Sequence, residues 1–201
     1  MGVVKLSTAG ILDYSKTSNF LSGNSAASYA TGFDLLETTN LATSASSVTF
    51  SGLGAYSDYK HLQIRNVTRT TNTANNSTVY MSLTFNGVTS GYSFHKVEGD
   101  GSSVSAYGTG TRSRIDISDS TAEGSTSFAN IFGASIIDIL DFSSSSKNTT
   151  VRYLAGVNMN SKNVNLGSGS YPVTTPVTTL TLTSGSLDFA VGSRFSLYGS
   201  K

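Results

Sequence analysis

The sequence predicts an all-β protein, an antiparallel two-sheet β-sandwich of jelly-roll type, and three observations carry that expectation. Serine and threonine supply 36 and 26 of the 201 residues while proline occurs twice; threonine is β-branched, and Ser, Asn and Gly lose little by leaving a helix. Short stretches alternate apolar and polar side chains at the period of two that a half-buried strand requires. No long window places apolar groups at i, i+3, i+4 and i+7 between caps, so almost no helix is expected.

Taken in order, residues 1–31 are the least patterned part, with Gly2, Gly10 and Gly23 scattered among Ser, Asn and Ala. Such a segment buries too little apolar area to offset its own ordering entropy. It reads as an extended N-terminal arm whose hydrophobes, Ile11, Leu12, Tyr14, Phe20 and Leu21, form an interface with the main domain or another subunit. A plain edge strand is the alternative. The sandwich domain is expected to occupy residues 32–201.

From Phe33 onward the alternations recur. Leu62 and Ile64 interleave with His61, Gln63 and Arg65. Val79, Met81, Leu83 and Phe85 share one face of a half-buried strand that ends in the turn Asn86-Gly87. Ile115 and Ile117 alternate with Arg114 and Asp116, and Val151, Tyr153, Ala155 and Val157 with Arg152 and Leu154. Between Phe128 and Phe142 apolar groups occupy both parities, the pattern of a central strand covered on two sides, broken near Gly133. Val177 to Ser184 and Arg194 to Gly199 complete the series, for roughly eight to ten strands in all.

Charge and targeting patterns narrow the function. Thirteen Lys and Arg against twelve Asp and Glu leave a formal net charge of +1, too weak a field to draw the chain to phosphate backbones or anionic membranes. Neither a signal peptide nor a membrane-length apolar run is recognisable, so synthesis without a leader is expected. The absence of cysteine suits a reducing cytoplasm and equally a particle that meets changing redox conditions.

Candidate chemistry is sparse. His61 and His95 stand apart and match no metal-ligand spacing, so both read as turn-bonding or polar-face histidines. Asp116 and Asp119, like Asp138 and Asp141, are three apart, which in a strand puts them on opposite faces and suits no glycosidase pair. Asp138 and Asp141 instead read as residues that end a strand and shape the turn into Ser143 to Ser146. The Glu98-Gly-Asp100-Gly stretch offers carboxylates and carbonyls to Ca²⁺ but falls short of a full ligand set. Gly52-Leu-Gly54 and Gly167-Ser-Gly169 read as turns, not nucleotide loops. No catalytic residue, cofactor or metal is expected from these patterns.

Several stretches carry a resemblance: Gly10-Ile-Leu-Asp-Tyr-Ser15, Val48-Thr-Phe-Ser-Gly-Leu-Gly-Ala-Tyr-Ser-Asp-Tyr-Lys-His-Leu-Gln-Ile-Arg65, Phe85-Asn-Gly87, Gly99-Asp-Gly-Ser-Ser103, Gly133-Ala-Ser-Ile-Ile-Asp-Ile-Leu-Asp141, Lys147-Asn-Thr-Thr-Val-Arg152 and Gly192-Ser-Arg-Phe-Ser-Leu-Tyr-Gly199. In their order and spacing the chain resembles small β-sandwich virion proteins of tailed bacteriophages, cyanophages included. The resemblance implies a non-enzymatic capsid decoration or cement protein on the virion surface, with the major capsid protein and further copies of itself for partners; assembly as a homotrimer, or with another symmetry about the capsid axes, would strengthen attachment. It also implies an alternative, a tail-fibre or baseplate module that holds host glycans through exposed tyrosines such as Tyr56, Tyr107 or Tyr171. Jelly-rolls serve as lectins as well as tiles, so fold alone does not choose.

Overall fold

A computed structural model describes residues 32–72, 79–121, 130–159, 163–185 and 187–201. The five hydrophobes Ile11, Leu12, Tyr14, Phe20 and Leu21 lie outside the described residues. Phe33–Lys201 forms one compact unit.

Twelve strands are present among the described residues, two more than the upper expectation. They are β1 (Asp34–Asn40), β2 (Ser47–Ser51), β3 (His61–Thr68), β4 (Val79–Phe85), β5 (Tyr92–Gly99), β6 (Val104–Arg112), β7 (Ile115–Thr121), β8 (Gly133–Leu140), β9 (Thr150–Val157), β10 (Asn163–Ser170), β11 (Thr179–Thr183) and β12 (Arg194–Ser200). Among the strands that the sequence pattern did not single out are β1, β2, β6 and β10; the last two are hydroxyl- and glycine-rich, so their apolar signal is thin. A 3₁₀ turn, Leu53–Tyr56, follows Gly52, which sits at φ 69°.

The strands form two antiparallel sheets, eight in the order β1-β12-β3-β8-β9-β10-β5-β6 and four in the order β2-β11-β4-β7. Hairpins β5–β6, β8–β9 and β9–β10 stay within the large sheet; every other connection changes sheet. Asn86-Gly87 makes one of these corners, both residues at positive φ. The Asn86 carboxamide accepts from the Thr178 and Thr179 amides at 2.9 and 3.0 Å and donates to the Pro176 carbonyl at 2.9 Å, tying the corner to the entry of β11.

The core lies between the sheets. Alternation sends Leu62 and Ile64 inward from β3, Ile137 and Ile139 from β8, and Phe195 and Leu197 from β12, to meet Phe50, Met81, Leu83, Phe85, Leu180 and Leu182 of the small sheet, all essentially inaccessible to water. Each such side chain contributes about 1.5–3 kcal/mol of burial. Phe189 packs edge-on to Phe195 at 4.9 Å, and Phe85 to Tyr171 at 5.4 Å.

Four expectations require correction. Gly167 and Gly169 are not turn residues: they lie inside β10, facing inward, where an added Cβ would meet the Tyr153 ring at 2.3 Å and the Ile115 side chain at 2.9 Å. Their lack of a side chain is what lets those two groups fill the interior. Tyr171 is a buried core residue, so it presents nothing to a ligand. Asp138 sits within β8, not at its end. Finally, β8 is central yet, among the described residues, covered on one side only: Ile137 and Ile139 enter the core, whereas Ile136 is exposed.

Candidate functional site

The outward parity of the large sheet organises its exposed face into rows that run across the strands. One row passes in direct register from Thr38 through Ser196, Arg65, Ile136, Leu154, Leu166 and Val97 to Ala106. The next, two residues along, runs Asn40, Arg194, Val67, Ala134, Gly156, Val164, Gly99, Val104. Eight strands spaced about 4.8 Å make each row about 34 Å long. From β8 to β6 neither row contains a charged side chain. Leu154 and Leu166 are 51% and 52% exposed, Val164 61% and Val104 77%, far above what a core-facing apolar residue shows.

On the other flank the row is polar: Tyr198, Gln63, Asp138, Arg152, Ser168 and His95 follow one another across adjacent strands. Arg152 donates to one Asp138 oxygen through Nε at 3.0 Å and through an Nη at 2.8 Å, while Gln63 donates to the other at 2.7 Å. Arg65 stacks over Tyr198 at 4.4 Å and over Phe33 at 5.0 Å. Where Ala134 and Gly156 interrupt the second row, the face dips into a groove of about 850 Å³ walled by Leu35, Val67, Ile136, Leu154 and Val164.

A second recess, about 470 Å³, lies at the corner where β5 and β6 extend past the small sheet, and is lined by Tyr80, Phe94, Lys96, Glu98, Tyr107, Arg112 and Asp116. A bulge between Tyr92 and Phe94, with Thr111 at φ 64°, re-aims Arg112 toward Asp116. A β-branched residue at positive φ is strained. Arg112 and Arg114 both donate to Asp116, at 3.2 and 2.6 Å, which holds the Arg114 guanidinium above its usual range. Lys96 donates to Glu98 and holds that carboxyl below its usual range. Tyr107 and Tyr80 keep a large part of their rings in water.

The remaining sequence candidates serve local structure. His61 Nδ1 accepts the Asp141 amide at 3.0 Å, and Asp141, at φ 55°, receives Lys147 at 3.1 Å, so Asp141 does shape the turn after β8. His95 is exposed in the polar row. Asp100 closes the β5–β6 turn: it accepts from the amides and hydroxyls of Ser102 and Ser103, which keep its carboxyl well below the usual range. Those bonds use both carboxylate oxygens. Among the described residues, no three His, Asp or Glu side chains come close enough to hold a metal ion. Tyr56 is half-buried against the core, and Tyr107 alone of the three tyrosines expected at the surface is widely exposed.

Reasoning from the sequence did not find the apolar rows, although the both-parity pattern around Ile136 was their trace. Comparison with protein-family models, characterised proteins and solved structures finds no significant match for this chain.

Proposed function

We propose that this chain is a virion structural protein, a capsid decoration or cement subunit that binds the outer surface of a phage head and stabilises it. The reading rests first on the resemblance. One observation supports it further: three of the stretches that carry the resemblance, residues 48–65, 133–141 and 192–199, contain most of β3, all of β8 and nearly all of β12, and these lie side by side in the large sheet, while residues 10–15 lie outside the described residues. We read the strand order as that of a jelly-roll, β1-β12-β3-β8 facing β2-β11-β4-β7, with hairpins β5–β6 and β9–β10 added at one edge of the large sheet. A weakly charged sandwich of this kind suits a tile, and symmetric repetition around capsid axes would turn modest contacts with the major capsid protein into lasting attachment.

The test is the heat stability of particles. Heads lacking this protein are expected to release genome at a lower temperature than complete heads, and to recover when it is added back. Unchanged stability would overturn cementing.

The corner recess favours a second reading, a module that binds host glycans: the exposed faces of Tyr80 and Tyr107 beside fixed Arg, Asp and Glu groups suit the apolar face and hydroxyls of a sugar ring. Copy number separates the two, since decoration follows the number of capsomers and a tail module the number of fibres. Loss of oligosaccharide binding in Tyr107→Ala would favour the glycan reading.

A further inference from the structure

We infer that the outer face of the eight-stranded sheet is where two copies of this chain join, sheet against sheet. The inference does not depend on the virion reading. Its first ground is area. The two apolar rows leave on the order of 600 Å² of apolar surface in water, the upper end of what a monomer keeps and close to the ~800 Å² each partner contributes to a stable complex.

Relief is the second ground. Ile136, Leu154 and Leu166 stand as a ridge across β8, β9 and β10, and beside it Ala134 and Gly156 leave the groove. The ridge of a second copy repeats at the same strand spacing as the groove it would enter, because both belong to one lattice of strands. Two such faces can interdigitate about 10 Å apart, as the layers of a sandwich do.

Charge is the third. A strongly acidic or basic partner would find nothing to pair with between β8 and β6, whereas that uncharged stretch of a second copy matches it; the two cations of the rows, Arg65 and Arg194, stand at their other end, on β3 and β12. Arg152 is already compensated by Asp138 at 2.8 Å, and a net charge of +1 gives the copies almost no mutual repulsion. A face that meets itself is isologous, so the pair closes and does not propagate.

Sedimentation velocity and light scattering of the full chain test this. A mass twice the 21.0 kDa of one chain is expected, falling to that of a single chain in Leu154→Lys and in Leu166→Glu, with melting temperature and far-ultraviolet spectrum retained. Val191→Lys, at an exposed position outside the rows, should leave the pair intact, and Leu154→Thr supplies a milder variant should the charged ones fail to fold. Any of these overturns the inference: a monomer up to about 100 µM, an odd-numbered assembly, or a pair indifferent to both row substitutions. Pairing that appears only after removal of residues 1–31 would also overturn it, since the chain's own segment would then be the occupant.

Discussion

Gly167→Ala is the sharpest test of how the sandwich closes. Gly167 lies opposite Tyr153 in the β9–β10 ladder, and a methyl group there would stand 2.3 to 2.5 Å from three atoms of the Tyr153 side chain. Ordinary contact needs more than 3.4 Å, so the ring or the strand must shift by roughly 1 Å in a close-packed interior. Overpacking of this kind costs about 1–3 kcal/mol. Against it stands the about 0.4–1 kcal/mol that alanine contributes by restricting the unfolded chain. The net loss is about 1–2 kcal/mol, a fall in Tm of roughly 3–8 °C for a domain of this size. Gly110→Ala is the matched control: an added Cβ has nothing within 4 Å, so only the favourable term remains and Tm should rise by roughly 1–4 °C. Thermal and urea unfolding of both variants read the difference, and in a Tyr153→Leu background the Gly167→Ala penalty should shrink. A Gly167→Ala protein as stable as Gly110→Ala would refute the close approach.

Three further outcomes follow from the geometry. Burial pushes the Tyr92 phenol up to about 12 from an ordinary value of 10.0; because the fold favours the neutral form, its contribution is complete below pH 10 and lost as pH climbs toward 12, a decline of roughly 2–3 kcal/mol in urea unfolding. Tyr92→Phe should flatten that alkaline limb while costing about 1–2 kcal/mol at pH 7, since the Phe85 amide loses its 2.8 Å acceptor. Asn86→Ala removes the clamp on β11 and leaves a residue with a Cβ at φ 50°; a loss of about 2 kcal/mol is expected by chemical denaturation. Asp138→Asn weakens an exposed ion pair and should change stability by less than about 1 kcal/mol, shrinking further in high salt.

Period-two alternation located the strands whose inward positions are large and branched, among them β3, β4, β7, β9 and β12, because burial selects for such residues wherever one face is dry. It marked neither β1 nor β2, and it failed on β6 and β10. Val104-Ser-Ala-Tyr-Gly-Thr-Gly-Thr-Arg112 has little to bury, being an edge strand open to water, and β10 uses glycine inside because its neighbours' side chains occupy the space. The partnership of strands was not legible either, since the sheet order joins segments far apart in sequence. At the candidate site, the both-parity apolar pattern of β8 correctly marked a strand with two apolar faces. It misassigned the cover of the second, which the chain's described residues do not supply.

The place of β12 bears on how the protein is made. Arg194–Ser200 lies between β1 and β3, so the first described strand has no neighbour in its sheet until the last one arrives. During synthesis β1 therefore stays unpaired in its sheet, and the edge of β3 that β12 fills stays open, until Arg194–Ser200 has been made, a state prone to wrong associations. Removing those seven residues would not trim a margin; it would take out the keystone that joins β1 to the rest of its sheet.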